Sequence, residues 1–304
     1  MTQSFYSNGK LLITAEYVVL EGAVALALPT KFGQKLTVET SNNKGILWNS
    51  YDADGSCWFE SFISFKTIQN KELTEDTTSI QNTLIEILHE AFLLNNDFII
   101  NSKGYYIKTE LTFPKNWGLG TSSTLINNLA NWLSIDAYTL LKNSFGGSGY
   151  DLACAQNNNA ILYQLVDNKP KVENITFNPT FSNNIYFVYL NKKQSSKASI
   201  ASYFNRLDDI QQQVPMMSEL TKKIITADTI EQFCSILKYH EIEMSLLLEQ
   251  QTIQELLFPD FDGVIKSLGA WGGDFVMVVS KENPEYYFKE KGFSTILRYK
   301  EMIL

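Results

Sequence analysis

The sequence predicts an α+β fold divided into two domains. Its 304 residues are 44% hydrophobic, which is enough for a full core, and chains of this length commonly form about two domains of ~150 residues. The first half alternates apolar and polar residues as strands do, whereas residues 199–255 carry apolar residues mainly at helical spacing. A polar stretch at residues 178–184 separates these parts, so we predict domains of residues 1–182 and 183–304.

Strands and helices alternate through the predicted first domain. Leu36, Val38 and Thr40 alternate with their neighbours, and the same period covers residues 107–113. Period-two alternation puts every second side chain on one face, as in a half-buried strand. Helices are predicted over residues 83–94, from about residue 122 to 133, and over 150–156, and a further strand over 160–165.

The predicted second domain begins with a strand and then becomes mainly helical. Apolar "IYFVYL" at residues 185–190 predicts the strand, and residues 199–255 predict the helices. Two late strands, at residues 274–280 and 293–299, flank a short helix. The order of strand, helices, strand, helix and strand is typical of an α+β domain.

Composition excludes several classes of partner and site. The net charge is −8 and the pI is about 5.0, so the chain gains little from counterion release and we predict no nucleic-acid partner. Cys57, Cys154 and Cys234 are scattered without a C-x-x-C pair, which predicts neither a disulfide framework nor a zinc site. With no basic leader and no apolar run of ~20 residues, we expect a cytoplasmic protein and no membrane partner.

The segment "PKNWGLGTSST" at residues 114–124 places small hydroxyl residues where a helix begins. Ser and Thr are good N-cap residues, so the hydroxyl groups are explained by capping. A helix N-terminus also offers unpaired N–H groups and a positive dipole end, so they are equally explained by a phosphate cradle. The segment is neither a P-loop nor a dinucleotide fingerprint, because it lacks G-x-x-x-x-G-K-[ST] and a third glycine. Taken alone, it leaves both interpretations open.

Three other glycine-bearing segments accompany it. They read "SNGKLLITAEYVVLEGAVALALP" from Ser7, "GGSGYDLACA" from Gly146 and "KSLGAWGGDFVMV" from Lys266. Each has an ordinary explanation when taken singly. Lys10 is explained as a solvated charge, Asp151 as a helix N-terminal residue that the dipole favours, and Gly272-Gly273 as a turn before a strand.

Together and in this order, the four segments resemble the motifs of the GHMP kinases, the family of galactokinase, homoserine kinase, mevalonate kinase and phosphomevalonate kinase. The first resembles P-G-K-L-hydrophobic-x-x-G-E-[HY]-x-V, with Asn8 for the proline and Ala15 for the second glycine. The second resembles P-x-x-x-G-L-G-S-S-[AST]-[AT], and the last resembles G-A-G-G-G-[DG]. The resemblance runs from Lys10 to about Phe275. It implies an N-terminal α/β domain and a ferredoxin-like C-terminal domain, with the active site between them.

The resemblance also implies an ATP-dependent kinase and assigns its site residues. Asp151 matches the catalytic Asp, which would orient the acceptor oxygen and accept its proton, and Lys10 matches the Lys beside that Asp. Ser122 would ligate Mg²⁺, since a hard cation suits oxygen ligands. The ATP-binding positions are Gly118, Leu119, Gly120, Thr121, Ser122 and Ser123. The acceptor-binding positions are Glu16, Tyr17, Ser196, Lys197, Gly269, Ala270, Gly272 and Gly273.

Two departures from the family pattern bear on activity. The family often has a further magnesium-ligating Glu before the catalytic Asp, but that position falls near Leu140 and Leu141, and the closest upstream carboxylate is Asp136. Trp271 replaces a glycine of the third motif, where its bulk is expected to crowd or cover the phosphate-facing loop. Both departures leave open weak activity, or a non-catalytic sensor that binds a nucleotide or a metabolite.

The motifs also bear on the acceptor. "AEYVVLEG" resembles the G-E-Y-A-V-L-E opening of phosphomevalonate kinases more than the G-E-H of mevalonate kinases. Phosphomevalonate is therefore the favoured acceptor, with mevalonate or another small alcohol or sugar as alternatives. Retention of Lys10 and Asp151 favours an enzyme over a sensor.

The segment "NKKQSSKAS" at residues 191–199 is a candidate for binding the anionic end of such an acceptor. It supplies Lys192, Lys193 and Lys197 as cations in an acidic chain, and a local basic cluster attracts anions. A solvated basic loop is the alternative. We thus expect a small-molecule anionic partner, and the sequence leaves open whether the chain forms a homodimer.

Overall fold

The computed structural model describes residues 2–76, 78–192 and 207–304, with the backbone alone for residues 207–209. The chain forms two compact units. Unit 1 comprises Met1–Gly9, Phe32–Lys115 and Leu119–Gln156, and unit 2 comprises Lys10–Lys31, Asn116–Gly118 and Asn157–Leu304. These units are discontinuous in sequence, whereas the predicted domains divide the chain once, between residues 182 and 183. Ser196 and Lys197 lie outside the described residues.

The strands of unit 1 form a mixed sheet in the order β4-β3-β5-β2, and β1 also pairs with β2. Strand β3 is antiparallel to β4 and parallel to β5, and β5 is antiparallel to β2. The last residues of β1 and the first residues of β2 belong to unit 2. The strands are β1 (Thr2–Leu12), β2 (Ala25–Thr40), β3 (Gly45–Tyr51), β4 (Cys57–Ser64) and β5 (Tyr105–Leu111).

One face of this sheet is covered by helices. Leu36, Val38 and Trp48 are buried in the same core as Leu88 and Leu129 of the helices. The period-two alternation predicted for residues 36–40 is therefore that of a strand with one face in the core. The helices are α1 (Phe65–Asn70), α2 (Ile80–Leu94), α3 (Asp97–Ile100), α4 (Thr121–Leu133), α5 (Ala137–Ser144) and α6 (Tyr150–Gln156).

Unit 2 contains a small antiparallel arrangement around the first residues of β2. Ala25, Leu26 and Ala27 pair with β6 (Ile161–Val166), which pairs in turn with β7 (Lys169–Asn174). Short 3₁₀ turns cover Val18–Glu21, Lys115–Trp117 and Ser182–Asn184.

The second sheet of unit 2 has the ferredoxin-like order. Its strands run β11-β8-β10-β9 and all pair antiparallel, which is the arrangement of a β-α-β-β-α-β fold. Phe258 and Phe288 pack on Val188, Val276 and Val278 of this sheet. The strands are β8 (Ile185–Tyr189), β9 (Val264–Ser267), β10 (Phe275–Val279) and β11 (Ile296–Arg298).

Helices lie between the strands of this second sheet and after its last strand. They are α7 (Leu207–Ile225), α8 (Ile230–Leu248), α9 (Ile253–Leu257), α10 (Glu285–Glu290) and, after β11, α11 (Tyr299–Met302). The predicted α+β fold with a ferredoxin-like second part is confirmed. Within the described part of the chain, no helix has the length and apolar character needed to cross a membrane.

Candidate active site

The hydroxyl segment forms the start of helix α4 in unit 1. Its N-cap is Gly120, which has a left-handed φ of 94° and no side chain, and no side-chain hydrogen bond caps the helix. The capping interpretation is therefore wrong for this helix, because the residue at the cap position has no hydroxyl group. Thr121 is partly exposed and Ser122 is exposed, whereas Ser123 is buried. The first turn thus presents hydroxyl groups and backbone N–H groups, which suits an anion.

Buried polar side chains hold helix α4 in place. Thr124 Oγ1 donates to Gln34 Oε1 of β2 at 3.1 Å, and Asn128 Nδ2 donates to Gln34 O at 2.9 Å. Ser7 of β1 donates to Asn128 Oδ1 at 2.8 Å and accepts from Asn127 Nδ2 at 2.9 Å. Because a buried polar group is costly unless it is bonded, these contacts fix the helix on the sheet. These contacts are not predicted above, although two adjacent Asn residues inside a helix are a usable signal.

Asp151 lies in the first turn of helix α6, also in unit 1, and is partly exposed. Helix α6 packs against α4: Gln156 Nε2 donates to Asn127 Oδ1 at 3.1 Å, and Asn127 Nδ2 donates to Ala155 O at 3.4 Å. The structure therefore brings the helix of the hydroxyl segment and the helix of Asp151 together within one unit. Lys10 is partly exposed in β1 and belongs to unit 2.

The position expected for a second magnesium ligand is apolar. Leu140 and Leu141 are buried in the core of unit 1. Asp136 caps helix α5, since its Oδ1 accepts from Thr139 N at 2.7 Å and from Thr139 Oγ1 at 2.6 Å. In the described ranges, no three His, Cys, Asp or Glu residues gather to hold a metal. Mg²⁺ usually keeps waters and takes one or two protein oxygen ligands beside phosphates, and the exposed Ser122 hydroxyl is a donor of that kind.

Gly118, the first glycine of the hydroxyl segment, belongs to unit 2. Its φ is 68°, and a Cβ at this position would lie 2.3 Å from Asp274 Oδ2, so a side chain here would collide with the carboxylate. The preceding Trp117 packs edge-on against Phe275 of β10, with ring centroids 5.3 Å apart. The start of the segment is therefore fixed against the residues that end the third motif.

Both replacements of family glycines adopt the backbone conformation that favours glycine. Ala15 has a φ of 60° and Trp271 a φ of 46°, and left-handed conformations cost a non-glycine residue about 1–3 kcal/mol. Ala15 is fully buried and the Trp271 side chain is 2% exposed. The indole of Trp271 is therefore enclosed rather than projecting into solvent, and its burial offsets the backbone strain.

The positions expected to bind the acceptor differ in exposure. Glu16 is fully buried and bonded to Lys266 of β9, and Tyr17 is also buried. Because its carboxylate does not reach solvent, Glu16 supports the first motif from inside in this structure. Lys266 is not among the predicted site residues, although a single Lys within the apolar run before the third motif is a detectable signal. In the third motif, Gly269 and Gly272 are partly exposed, whereas Ala270 and Gly273 are buried.

Solved structures share this fold over nearly their whole length. Mevalonate kinase from Methanococcus jannaschii has a TM-score of 0.71 at 14% identity, with 98% of this chain and 97% of that chain covered. Streptococcus pneumoniae phosphomevalonate kinase, solved in complex with phosphomevalonate and AMPPNP, has a TM-score of 0.72 at 16% identity, with 97% and 99% covered. Lactococcus lactis galactokinase, complexed with galactose, has a TM-score of 0.70 at 12% identity, with 95% and 88% covered.

No protein-family model matches the sequence, and neither does any curated protein. The structural similarity, at identities of 12–16%, concerns the fold. The chain has the fold of the GHMP kinases, as the motif resemblance predicts.

Proposed function

We propose that this chain is an ATP-dependent phosphotransferase that transfers the γ-phosphoryl group to a small-molecule acceptor. The observation that carries the proposal is the packing of helix α4 against helix α6 in unit 1. Helix α4 begins at an uncapped glycine and presents Ser122 to solvent, and helix α6 carries Asp151 in its first turn. In a fold shared with kinases, these are the parts that bind phosphates and activate an acceptor.

The chemistry assigns a role to each of these residues. The acceptor oxygen forms a bond to the γ-phosphorus while the bond from that phosphorus to the ADP oxygen breaks, and the acceptor proton moves to Asp151. Lys10 offsets negative charge on the moving phosphoryl group. When bound, Mg²⁺ neutralises charge on the ATP phosphates, and Ser122 would hold it together with those phosphates and water. Such a reaction depends mainly on positioning and charge, so a sparse set of residues suffices.

We propose phosphomevalonate as the acceptor, with mevalonate as the first alternative. The first and third motifs support phosphomevalonate by resemblance. Lys192, exposed and three residues after the end of β8, is the described lysine of the basic segment, and Lys193, Ser196 and Lys197 lie outside the described residues. The TM-scores of 0.72, 0.71 and 0.70 to phosphomevalonate kinase, mevalonate kinase and galactokinase do not distinguish the acceptors.

ADP release with a panel of acceptors tests the proposed function. The panel contains phosphomevalonate, mevalonate, galactose and a reaction without acceptor, each with ATP and Mg²⁺. We expect acceptor-dependent ADP release, with the highest kcat/KM for phosphomevalonate. ADP release independent of every acceptor, or none at all with nucleotide bound, would contradict a small-molecule kinase.

Ser122→Ala is expected to raise the Mg²⁺ concentration needed for half-maximal activity and to lower kcat. Leu140 and Leu141 lie in the core, so no side chain at the expected second-ligand position compensates for the lost hydroxyl. Mg²⁺ titrations of AMPPNP binding and of turnover measure the effect. Ser134→Ala, in the C-cap of the same helix, is the matched control. Unchanged magnesium titrations in Ser122→Ala would show that another group holds the metal.

Lys197→Ala is expected to raise the KM for phosphomevalonate about ten- to hundredfold and to leave the ATP KM nearly unchanged. The lost interaction is a charge-assisted hydrogen bond worth roughly 1.5–3 kcal/mol. Steady-state kinetics with phosphomevalonate and with mevalonate measure it, since an acceptor without a phosphate should show almost no effect. If neither KM changes in Lys192→Ala, Lys193→Ala or Lys197→Ala, the basic segment does not bind the acceptor.

A non-catalytic sensor with this fold is the second candidate. The observation that favours it is the burial of Leu140 and Leu141 where the family often has a metal-ligating Glu. A sensor would bind nucleotide or metabolite without releasing ADP. The acceptor panel separates the two candidates, because only the kinase shows ADP release that depends on an acceptor.

A further inference from the structure

Four titratable side chains form a buried network in unit 2 that has no part in the proposed chemistry. They are Glu16, Lys266, His240 and Glu241, each at most 3% exposed. Lys266 Nζ donates a hydrogen bond to Glu16 Oε1. It also donates to Ser267 O, at 2.9 Å, and lies 3.6 Å from Glu241 Oε2. Lys and Glu are rarely fully buried unless they are paired, so this network is a specific feature of the fold.

Two members of the network, His240 and Glu241, accept hydrogen bonds from backbone N–H groups in or next to a motif. His240 Nε2 accepts from Ala15 N at 2.9 Å, and Glu16 follows Ala15 in the first motif. Glu241 Oε1 accepts from Ser267 N at 3.0 Å and from Ser267 Oγ at 2.7 Å. Ser267 ends β9 and stands two residues before Gly269, where the third motif begins. Helix α8, which carries His240 and Glu241, thus joins the turn of the first motif to the strand that leads into the third.

The turn at Glu16 needs such support because its backbone is strained. Ala15 and Tyr17, on either side of Glu16, have φ values of 60° and 63°. Residues in this region persist only when their surroundings hold them there. The bond from Ala15 N to His240 and the contact of Glu16 with Lys266 are among the contacts that hold this turn, beside backbone bonds such as that from Val19 N to Ala15 O.

The network is electrically neutral only when it carries one extra proton. His240 is neutral, because its Nε2 accepts a hydrogen bond and burial together with the charge of Lys266 holds its pKa well below the usual range. One ammonium, from β9, then faces two carboxylates, one from the first motif and one from α8. Within the described residues, Glu16 Oε2 and Glu241 Oε2 accept no hydrogen bond. Burial raises the pKa of Glu16 to about 7, although Lys266 lowers it, and burial also raises the pKa of Glu241.

We propose that Glu16, Lys266 and Glu241 are positioning residues that hold the first-motif turn and the third glycine motif in one fixed arrangement. The benefit of this arrangement to phosphoryl transfer rests on the proposed function and on the acceptor-binding positions that the resemblance implies in both motifs. A buried ion pair adds little to stability, but removal of one partner leaves an uncompensated charge and disturbs the geometry. The contribution of the network to stability also depends on pH. A carboxyl group whose pKa rises from 4.5 to about 7 contributes stability that is complete below about pH 4.5 and is lost as the pH rises through about 7.

Hydrogen exchange followed by mass spectrometry tests the coupling directly and does not require an active enzyme. The full chain is compared with Glu16→Gln, Lys266→Met and the control Lys281→Met, which breaks the exposed 2.8 Å ion pair with Glu231. In the wild type, protection factors of residues 10–17 and 265–274 should fall together between pH 6 and pH 8. Glu16→Gln, a neutral replacement, should abolish that pH difference. Lys266→Met should lower protection at least tenfold in both segments at both pH values, and Lys281→Met should behave as the wild type.

Loss of protection in only one segment of Lys266→Met, or an unchanged pH difference in Glu16→Gln, would overturn the coupling. If Lys266→Met does not fold, Glu16→Gln decides the question alone. Acceptor kinetics test the positioning role: Lys266→Met, or Glu16→Ala in its place, should raise the acceptor KM at least tenfold and change the ATP KM less than twofold. Coupled segments with an unchanged acceptor KM would show a purely structural network. A wild type that phosphorylates no acceptor contradicts the proposed function and leaves the exchange result standing.

Discussion

Asp151→Asn is expected to lower kcat by roughly 10²–10⁴-fold, the usual contribution of a positioned acid or base. The amide has nearly the same shape as the carboxylate, so helix α6 and its contacts with α4 should persist, but the amide cannot accept the acceptor proton. Affinity for ATP should change less than about twofold, because the phosphates are assigned to helix α4. Turnover is measured by acceptor-dependent ADP release, and affinity by titration with AMPPNP.

Asp136→Asn provides the matched control for this variant. Asp136 is another Asp of unit 1, and its side chain caps helix α5. Asn is also a good N-cap residue, so this variant should keep both its stability and its turnover. Equal turnover of the wild type and Asp151→Asn would contradict the assignment of Asp151.

Trp271→Ala is expected to lower the free energy of unfolding by about 3–5 kcal/mol, the usual cost of removing a large buried aromatic side chain. The indole is only 2% exposed, so its loss leaves a cavity. Trp271→Gly should be about 1 kcal/mol more stable than Trp271→Ala, because the φ of 46° suits glycine. Within regular secondary structure, a glycine variant is usually less stable than the alanine variant at the same position. The reversed order would therefore indicate a left-handed backbone at residue 271. Urea unfolding of the three proteins measures both differences.

Gly269→Ala measures the cost of a left-handed backbone to the free energy of unfolding without forming a cavity. Gly269 has a φ of 64°, and a Cβ there would meet no atom within 4 Å. This variant should therefore lose about 1 kcal/mol through backbone strain alone. A Trp271→Gly protein less stable than Trp271→Ala would show that residue 271 does not adopt the left-handed conformation.

Local patterns in the sequence predict much of the fold. The helix predicted over residues 150–156 forms over Tyr150–Gln156, and the helix expected from about residue 122 to 133 begins at Thr121. The strand predicted over residues 160–165 forms over Ile161–Val166. These elements have strong periodicity or a helix-start signal, and both act over only a few residues. The order of elements in the second part predicts an α+β domain, and the motif resemblance implies its ferredoxin-like sheet. The local pattern does not predict the short strand β9 (Val264–Ser267).

Residues of the candidate site could be predicted only where they lie in a recognisable sequence motif. The contact of Glu16 with Lys266 joins residues 250 positions apart, and no local pattern shows that two charged side chains are buried together. The sequence predicts that Trp271 crowds or covers the phosphate-facing loop, but it does not show that the indole is enclosed. The direction in which a side chain points depends on the backbone conformation and the packing around it. Local patterns likewise do not predict the division into two units, because the residues of β1, and those of β2, are shared between the two units.

Transfer of the terminal phosphoryl group from γ-labelled ATP tests the central claim most directly. The wild type and Asp151→Asn are incubated with labelled ATP, Mg²⁺ and either phosphomevalonate, mevalonate or galactose, and the label is then located in acceptor, inorganic phosphate or remaining ATP. We expect the wild type to move the label into an acceptor, most rapidly into phosphomevalonate, and Asp151→Asn to leave it in ATP. A wild type that binds the nucleotide but labels none of these acceptors, or releases the label only as inorganic phosphate, would contradict the account.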